Sequence, residues 1–165
     1  EIEKYGHGEW NVAYEPGELK VIGRKGGKDV VEHVRKTTKK PYRLVLRQDL
    51  KFKADGSEVG LFTCECVDED GLVVPNASPF VKFSVNEEFE IVGTGSDNCD
   101  HNKVTLPERK MYEGKITIAV RSKGEAVASS SVSAPLTVLP TPKEMKLYAM
   151  NDDLGMAVIK VDVEK

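Results

Sequence analysis

The densest polar cluster in the chain is Ser96-Asp97-Asn98-Cys99-Asp100-His101-Asn102. Its residue types suit three kinds of chemistry. Asp97, Asn98 and Asp100 offer hard oxygen donors to Ca²⁺, and Cys99 and His101 with an aspartate offer a mixed set to Zn²⁺. The spacing matches neither an EF-hand loop nor a paired Cys-x-x-Cys arrangement, so no metal and no cofactor is expected. The third use fits better: Asp97, Asn98, Asp100 and His101 as a polar loop touching a carbohydrate or a neighbouring domain, because loops at the ends of β-sandwiches are where such folds place function. The plainest use is a surface loop whose Asx side chains cap their own backbone.

Trp10 is the other candidate contact, since an exposed indole stacks on sugar rings. It opens an alternating run, Trp10, Val12 and Tyr14, and that spacing favours a core-facing strand instead. His7 and His33 have no nucleophile with an orienting acid nearby, so no catalytic triad and no catalytic residue is expected. Gly23-Arg24-Lys25-Gly26-Gly27 leads into a strand rather than a helix, which excludes a helix-borne phosphate cradle. Cys64 and Cys66 lie two apart on a strand and cannot bond to each other without breaking it. They are expected to face the core as small hydrophobes. Three cysteines without a framework lean toward a reducing, cytoplasmic compartment, with a secreted or periplasmic location also open.

These residues sit on a chain of 165, with 39% hydrophobic and 31% charged residues and a net charge of −3. That composition suits an ordinary globular domain and excludes a concentrated basic face for nucleic acid. No apolar run approaches the ~20 residues that span a bilayer, so no membrane partner is expected. Arg35-Lys36-Thr37-Thr38-Lys39-Lys40 reads as an interdomain linker.

The pattern predicts an all-β molecule. Residues 1–39 give strands at 9–14, 18–24 and 28–36, the C-terminal strands of a truncated immunoglobulin-like domain whose beginning lies upstream. Residues 40–140 give short strands at 42–48, 51–53, 58–68, 72–74, 79–86, 88–93, 115–122 and 125–139, an immunoglobulin-like β-sandwich in full. Residues 141–165 follow a Pro140-Thr141-Pro142 hinge and form a hairpin, 145–150 and 155–163, whose packing the sequence leaves open.

The phrases Trp10-x-Val12-x-Tyr14-Glu15-Pro16-Gly17-Glu18-Leu19-Lys20 and Val67-Asp68-x-Asp70-Gly71-x-x-Val74-Pro75, with Val81-x-Phe83-x-Val85, resemble the C-terminal sandwiches of family-2 glycoside hydrolases, the β-galactosidase group. Gly93-Thr94-Gly95-Ser96-Asp97, His101 and the Tyr112-Glu113-Gly114 turn fit the same pattern, so the likeness spans about residues 9–139. The resemblance implies a non-catalytic region of a bacterial enzyme, buttressing or spacing a (β/α)8 barrel that carries the two catalytic glutamates. That barrel would be its intramolecular partner. A carbohydrate-binding module and a cell-surface adhesion repeat are the alternatives. Asn86-Glu87 mimics the family's acid/base pair, but retaining glycosidases need two carboxyls ~5 Å apart. No partner carboxylate is placed beside it by the expected fold.

Overall fold

A computed structural model describes residues 6–96, 101–123 and 144–163. The chain divides into two compact units, Glu1–Thr38 and Lys39–Lys165.

The first unit is an antiparallel hairpin of β1 (Glu18–Lys25) and β2 (Lys28–Lys36). Gly26 and Gly27, at φ of 58° and 77°, supply the two left-handed residues that a two-residue hairpin turn demands. Thr37 closes the open end, its amide donating to the Gly17 carbonyl at 2.8 Å and its hydroxyl accepting from the Gly17 amide at 3.0 Å. The register places Leu19, Val21 and Val31 on one face with His33 and Arg35, while the other carries Ile22, Val34 and the Lys20–Glu32 and Lys36–Glu18 ion pairs at 2.8 and 3.2 Å. Leu19, Val21 and Val31 are all exposed.

The expected strand at 9–14 is not formed. Residues 6–15 carry no strand, and Trp10 and Tyr14 are 66% and 79% exposed rather than on a core face. Alternation makes a strand only where a neighbour accepts its backbone hydrogen bonds, and among the described residues none pairs with this run.

Among its described residues the second unit holds eight strands: β3 (Arg43–Leu50), β4 (Val59–Val67), β5 (Phe80–Val85), β6 (Phe89–Gly95), β7 (Glu108–Lys110), β8 (Lys115–Ser122), β9 (Glu144–Asn151) and β10 (Gly155–Asp162). They form two antiparallel sheets, ordered β3-β4-β8-β6 and β10-β9-β5-β7. This is an immunoglobulin-like sandwich. Period-two alternation aims every second side chain inward. Phe62, Cys64 and Cys66 of β4 and Ile116, Ile118 and Val120 of β8 share a core with Val81 and Phe83 of β5 and Met145, Leu147 and Ala149 of β9. Phe52 stands edge-on to Phe62 and Phe89, with ring centroids 6.4 and 6.1 Å apart.

The C-terminal hairpin is integral to this sandwich. Strand β9 lies between β10 and β5, with Lys82 opposite Met150 and Val85 opposite Leu147. Asn151 makes the turn, its side-chain oxygen accepting from the amides of Asp153 and Leu154 at 3.0 and 2.9 Å.

Two further expected elements differ. The 72–74 strand shrinks to a bridge between Val67 and Val73, and 51–53 to a single bridged residue, Lys53. Strand β7 was not anticipated, because Glu108-Arg109-Lys110 has no apolar alternation. Its place comes from the Val81↔Arg109 pairing with β5. The 125–139 strand lies outside the described residues.

Candidate functional site

In the chain the polar loop lies between β6 and β7. Of the residues expected to make contact, His101 is exposed at the surface, and Trp10 is exposed in the first unit. Asp97, Asn98 and Asp100 lie outside the described residues, as does Cys99. Among the described residues, no group of three or more His, Cys, Asp or Glu side chains converges as a metal site.

What the structure does show is how the loop is anchored. Thr94 and Arg109 are both buried and bind the Lys103–Leu106 segment that follows the loop. The Thr94 amide donates to the Val104 carbonyl at 2.7 Å, and its hydroxyl donates to the Leu106 carbonyl at 2.8 Å. That hydroxyl also accepts from Arg109 Nε at 3.1 Å, while Arg109 Nη2 donates to the Lys103 carbonyl at 3.1 Å. A buried guanidinium is tolerated only where its donors are met. A sequence reader sees Arg109 in a charged triplet and assigns it to solvent; no local pattern reveals its burial.

Beside this anchor lies a solvent-open cleft of about 410 Å³, lined by Gly95, Ser96, Tyr112, Glu113, Lys115 and Thr117. Its rim is the tight turn Tyr112-Glu113-Gly114-Lys115, in which the Lys115 amide donates to the Tyr112 carbonyl at 3.0 Å. Glu113 and Gly114 have φ of 49° and 71°, which makes this a mirror-image hairpin turn. Glycine suits such a position and glutamate does not: a left-handed non-glycine residue costs roughly 1–2 kcal/mol. The surroundings hold the turn regardless. The Gly114 amide donates to the Ala77 carbonyl at 3.0 Å, and its carbonyl accepts from the Cys66 amide at 2.8 Å. A Cβ on Gly114 would lie 2.5 Å from the Val74 carbonyl oxygen.

Two further polar devices are structural. Asp68 is buried, and its carboxylate accepts from the amides of Lys39, Asp70 and Leu72 at 2.9, 3.0 and 2.9 Å. The Lys39 amide leads the effects that hold its pKa below the usual aspartate value, against the opposing cost of burial. Asn86, half of the apparent acid/base pair, holds β9 instead: its amide nitrogen donates to the Glu144 carbonyl at 3.3 Å and its oxygen accepts from the Lys146 amide at 2.8 Å. Cys64 and Cys66 are free and buried, as the strand alternation predicts. Burial pushes the Cys64 thiol up to about 12 and raises that of Cys66.

Residues 45–136, more than half of the chain, match glycoside hydrolase family 2 C-terminal domain 5. The chain belongs to glycoside hydrolase family 2. Residues 2–31 match a separate domain of unknown function, DUF4982. The family-2 assignment agrees with the resemblance carried by the Trp10–Lys20 and Val67–Pro75 phrases. Beta-galactosidase BoGH2A of Bacteroides ovatus is 30% identical over 161 residues, covering 96% of this chain and 17% of that protein. A family-2 glycosyl hydrolase structure from Bacteroides cellulosilyticus aligns at a TM-score of 0.75 and 26% identity, over 92% of this chain and 19% of that one. A beta-glycosidase from Bacteroides vulgatus, at 0.76 and 22% identity over 93% and 18%, shares the fold. The chain thus spans less than a fifth of the length of each of these proteins.

Proposed function

We propose that this chain is the non-catalytic C-terminal β-sandwich region of a bacterial β-galactosidase-like glycoside hydrolase, buttressing or spacing its catalytic barrel. The observation that carries this reading is the match of residues 45–136 to a family-2 C-terminal domain, on a sandwich whose buried polar groups are spent on architecture. Thr94 and Arg109 fasten a loop, Asn86 fastens β9, and Asp68 fastens the first residue of the unit. In this proposal residues 1–39 are the last strands of a preceding sandwich. The exposure of Leu19, Val21 and Val31 supports that assignment, since a two-stranded ribbon is marginal alone and gains stability from further strands or a second layer.

The test compares the whole enzyme with a version lacking residues 40–163. Hydrolysis of 4-nitrophenyl β-galactoside by the surviving soluble protein should keep its kcat within about threefold, while the thermal midpoint falls. Turnover by the isolated 165-residue chain would overturn the reading.

A further inference from the structure

We propose that the cleft between the end of β6 and the Tyr112–Lys115 turn binds a neutral pyranoside. This stands apart from the buttressing role, which needs no ligand.

Three independent features meet at this cleft. The first is Gly95. Its φ lies outside the left-handed region, and a Cβ there would meet no described atom within 4 Å. Neither backbone conformation nor packing among the described residues calls for glycine at this point. It pairs with Thr117 on the outer side of the sheet, so a side chain at 95 would project into the cleft. A strand glycine with open space above it suits the close approach of another molecule to the backbone. The second is Glu113, a non-glycine residue held at φ of 49° in a turn pinned on both sides. A sparsely populated backbone state maintained by its surroundings is a recognised mark of a ligand-holding position. The third is Tyr112, which keeps 42% of its surface exposed on the rim although it flanks a well-bonded turn.

The chemistry of these side chains selects the ligand. A tyrosine ring offers an apolar face to the C–H face of a sugar while its hydroxyl stays wet. Glu113 accepts from sugar hydroxyls, Lys115 donates to them, and Thr117 and Ser96 do either. An anion is disfavoured, since Glu113 stands on the rim and Lys115 is already engaged by Glu65 at 3.5 Å. A purely apolar ligand would leave these polar groups without partners. The volume of about 410 Å³ lies within the roughly 300–1,000 Å³ common to small-molecule sites.

The experiment follows backbone amide shifts of the ¹⁵N-labelled 165-residue chain during titration with lactose, and separately with cellobiose. Expected are saturable shifts with at least one of them at the amides of Ser96, Lys115 and Thr117, at millimolar affinity. Gly95→Val, which fills the cleft, abolishes them, Tyr112→Ala weakens binding by about tenfold, and Trp10→Ala changes nothing. Amide dispersion outside the cleft reports folding of each variant, and exposed Tyr112→Ala decides the matter if Gly95→Val does not fold. Absence of saturable shifts at these amides up to about 50 mM sugar, a range that covers weak millimolar sites, overturns the proposal. So do shifts that persist in Gly95→Val, or shifts confined to the region of Trp10.

Discussion

Leu147→Ala tests whether the C-terminal hairpin is part of the sandwich core. Leu147 is fully buried on β9 and sits opposite Val85 of β5. Removing about three methylene equivalents forfeits roughly 2–2.5 kcal/mol of transfer free energy. The void left between two sheets adds a cavity cost, bringing the total to about 3–5 kcal/mol. Domains of this kind are stable by only ~5–15 kcal/mol, so the loss is a large fraction of the whole. For a unit of this size it corresponds to a fall in thermal midpoint of roughly 8–20 °C. Met150→Ala is the control, being on the same strand but exposed on the outer face, and should cost about 0.5 kcal/mol or less. The assay is urea unfolding followed by far-UV circular dichroism. Tryptophan fluorescence would mislead, since the single Trp lies in the other unit. A Leu147→Ala cost below about 1 kcal/mol, equal to that of Met150→Ala, would refute the central placement of β9.

Asn86→Ala should destabilise the second unit by about 1–2 kcal/mol and speed hydrogen exchange at the Lys146 amide, its partner at 2.8 Å. Glu113→Asn should raise the thermal midpoint slightly, because asparagine tolerates the left-handed state. Gly114→Ala should lower it sharply, since its Cβ would press on the Val74 carbonyl. Native Cys64 and Cys66 should resist a thiol reagent at pH 8 and react after unfolding in urea. Their raised folded pKa values also set a direction with pH. The unfolded thiol ionises from about 9.0 while folded Cys64 keeps its proton to about 12. The folded state therefore binds more protons in that window, and stability falls as pH rises through it, by up to about 1.4 kcal/mol per pH unit for each such thiol. Unfolding curves at pH 8 and 10 check this; equal stability in wild type and Cys64→Val at both would count against it.

Strand alternation carried most of the architecture into view. Ile116, Ile118 and Val120 point inward and Lys115, Thr117 and Arg121 outward, as their spacing dictates. The Asn151–Gly155 turn was legible for the same local reason. What stayed hidden depended on partners distant in the chain. Trp10, Val12 and Tyr14 alternate like a strand but have no ladder to join among the described residues, whereas Glu108-Arg109-Lys110 reads as surface and becomes β7 because β5 offers it an edge. The polar loop was found by composition. Its anchor was not, because Arg109 is buried by tertiary packing that no local pattern records. The Tyr112-Glu113-Gly114 turn was visible as a turn, but its left-handed glutamate and the adjoining cleft were not.

The place of β9 also bears on the order in which this protein can be made. Residues 82–85 leave the ribosome long before residues 147–150, the stretch they must pair with. Until that late segment emerges, one layer of the sandwich lacks two of its four described strands, β9 and β10, and β5 has an unpaired edge. Closing so distant a pairing is slow in entropic terms and leaves sticky surface open meanwhile. A polypeptide cut short before β9 lacks Met145, Leu147 and Ala149 from its core, so the last strands to be synthesised complete the hydrophobic interior.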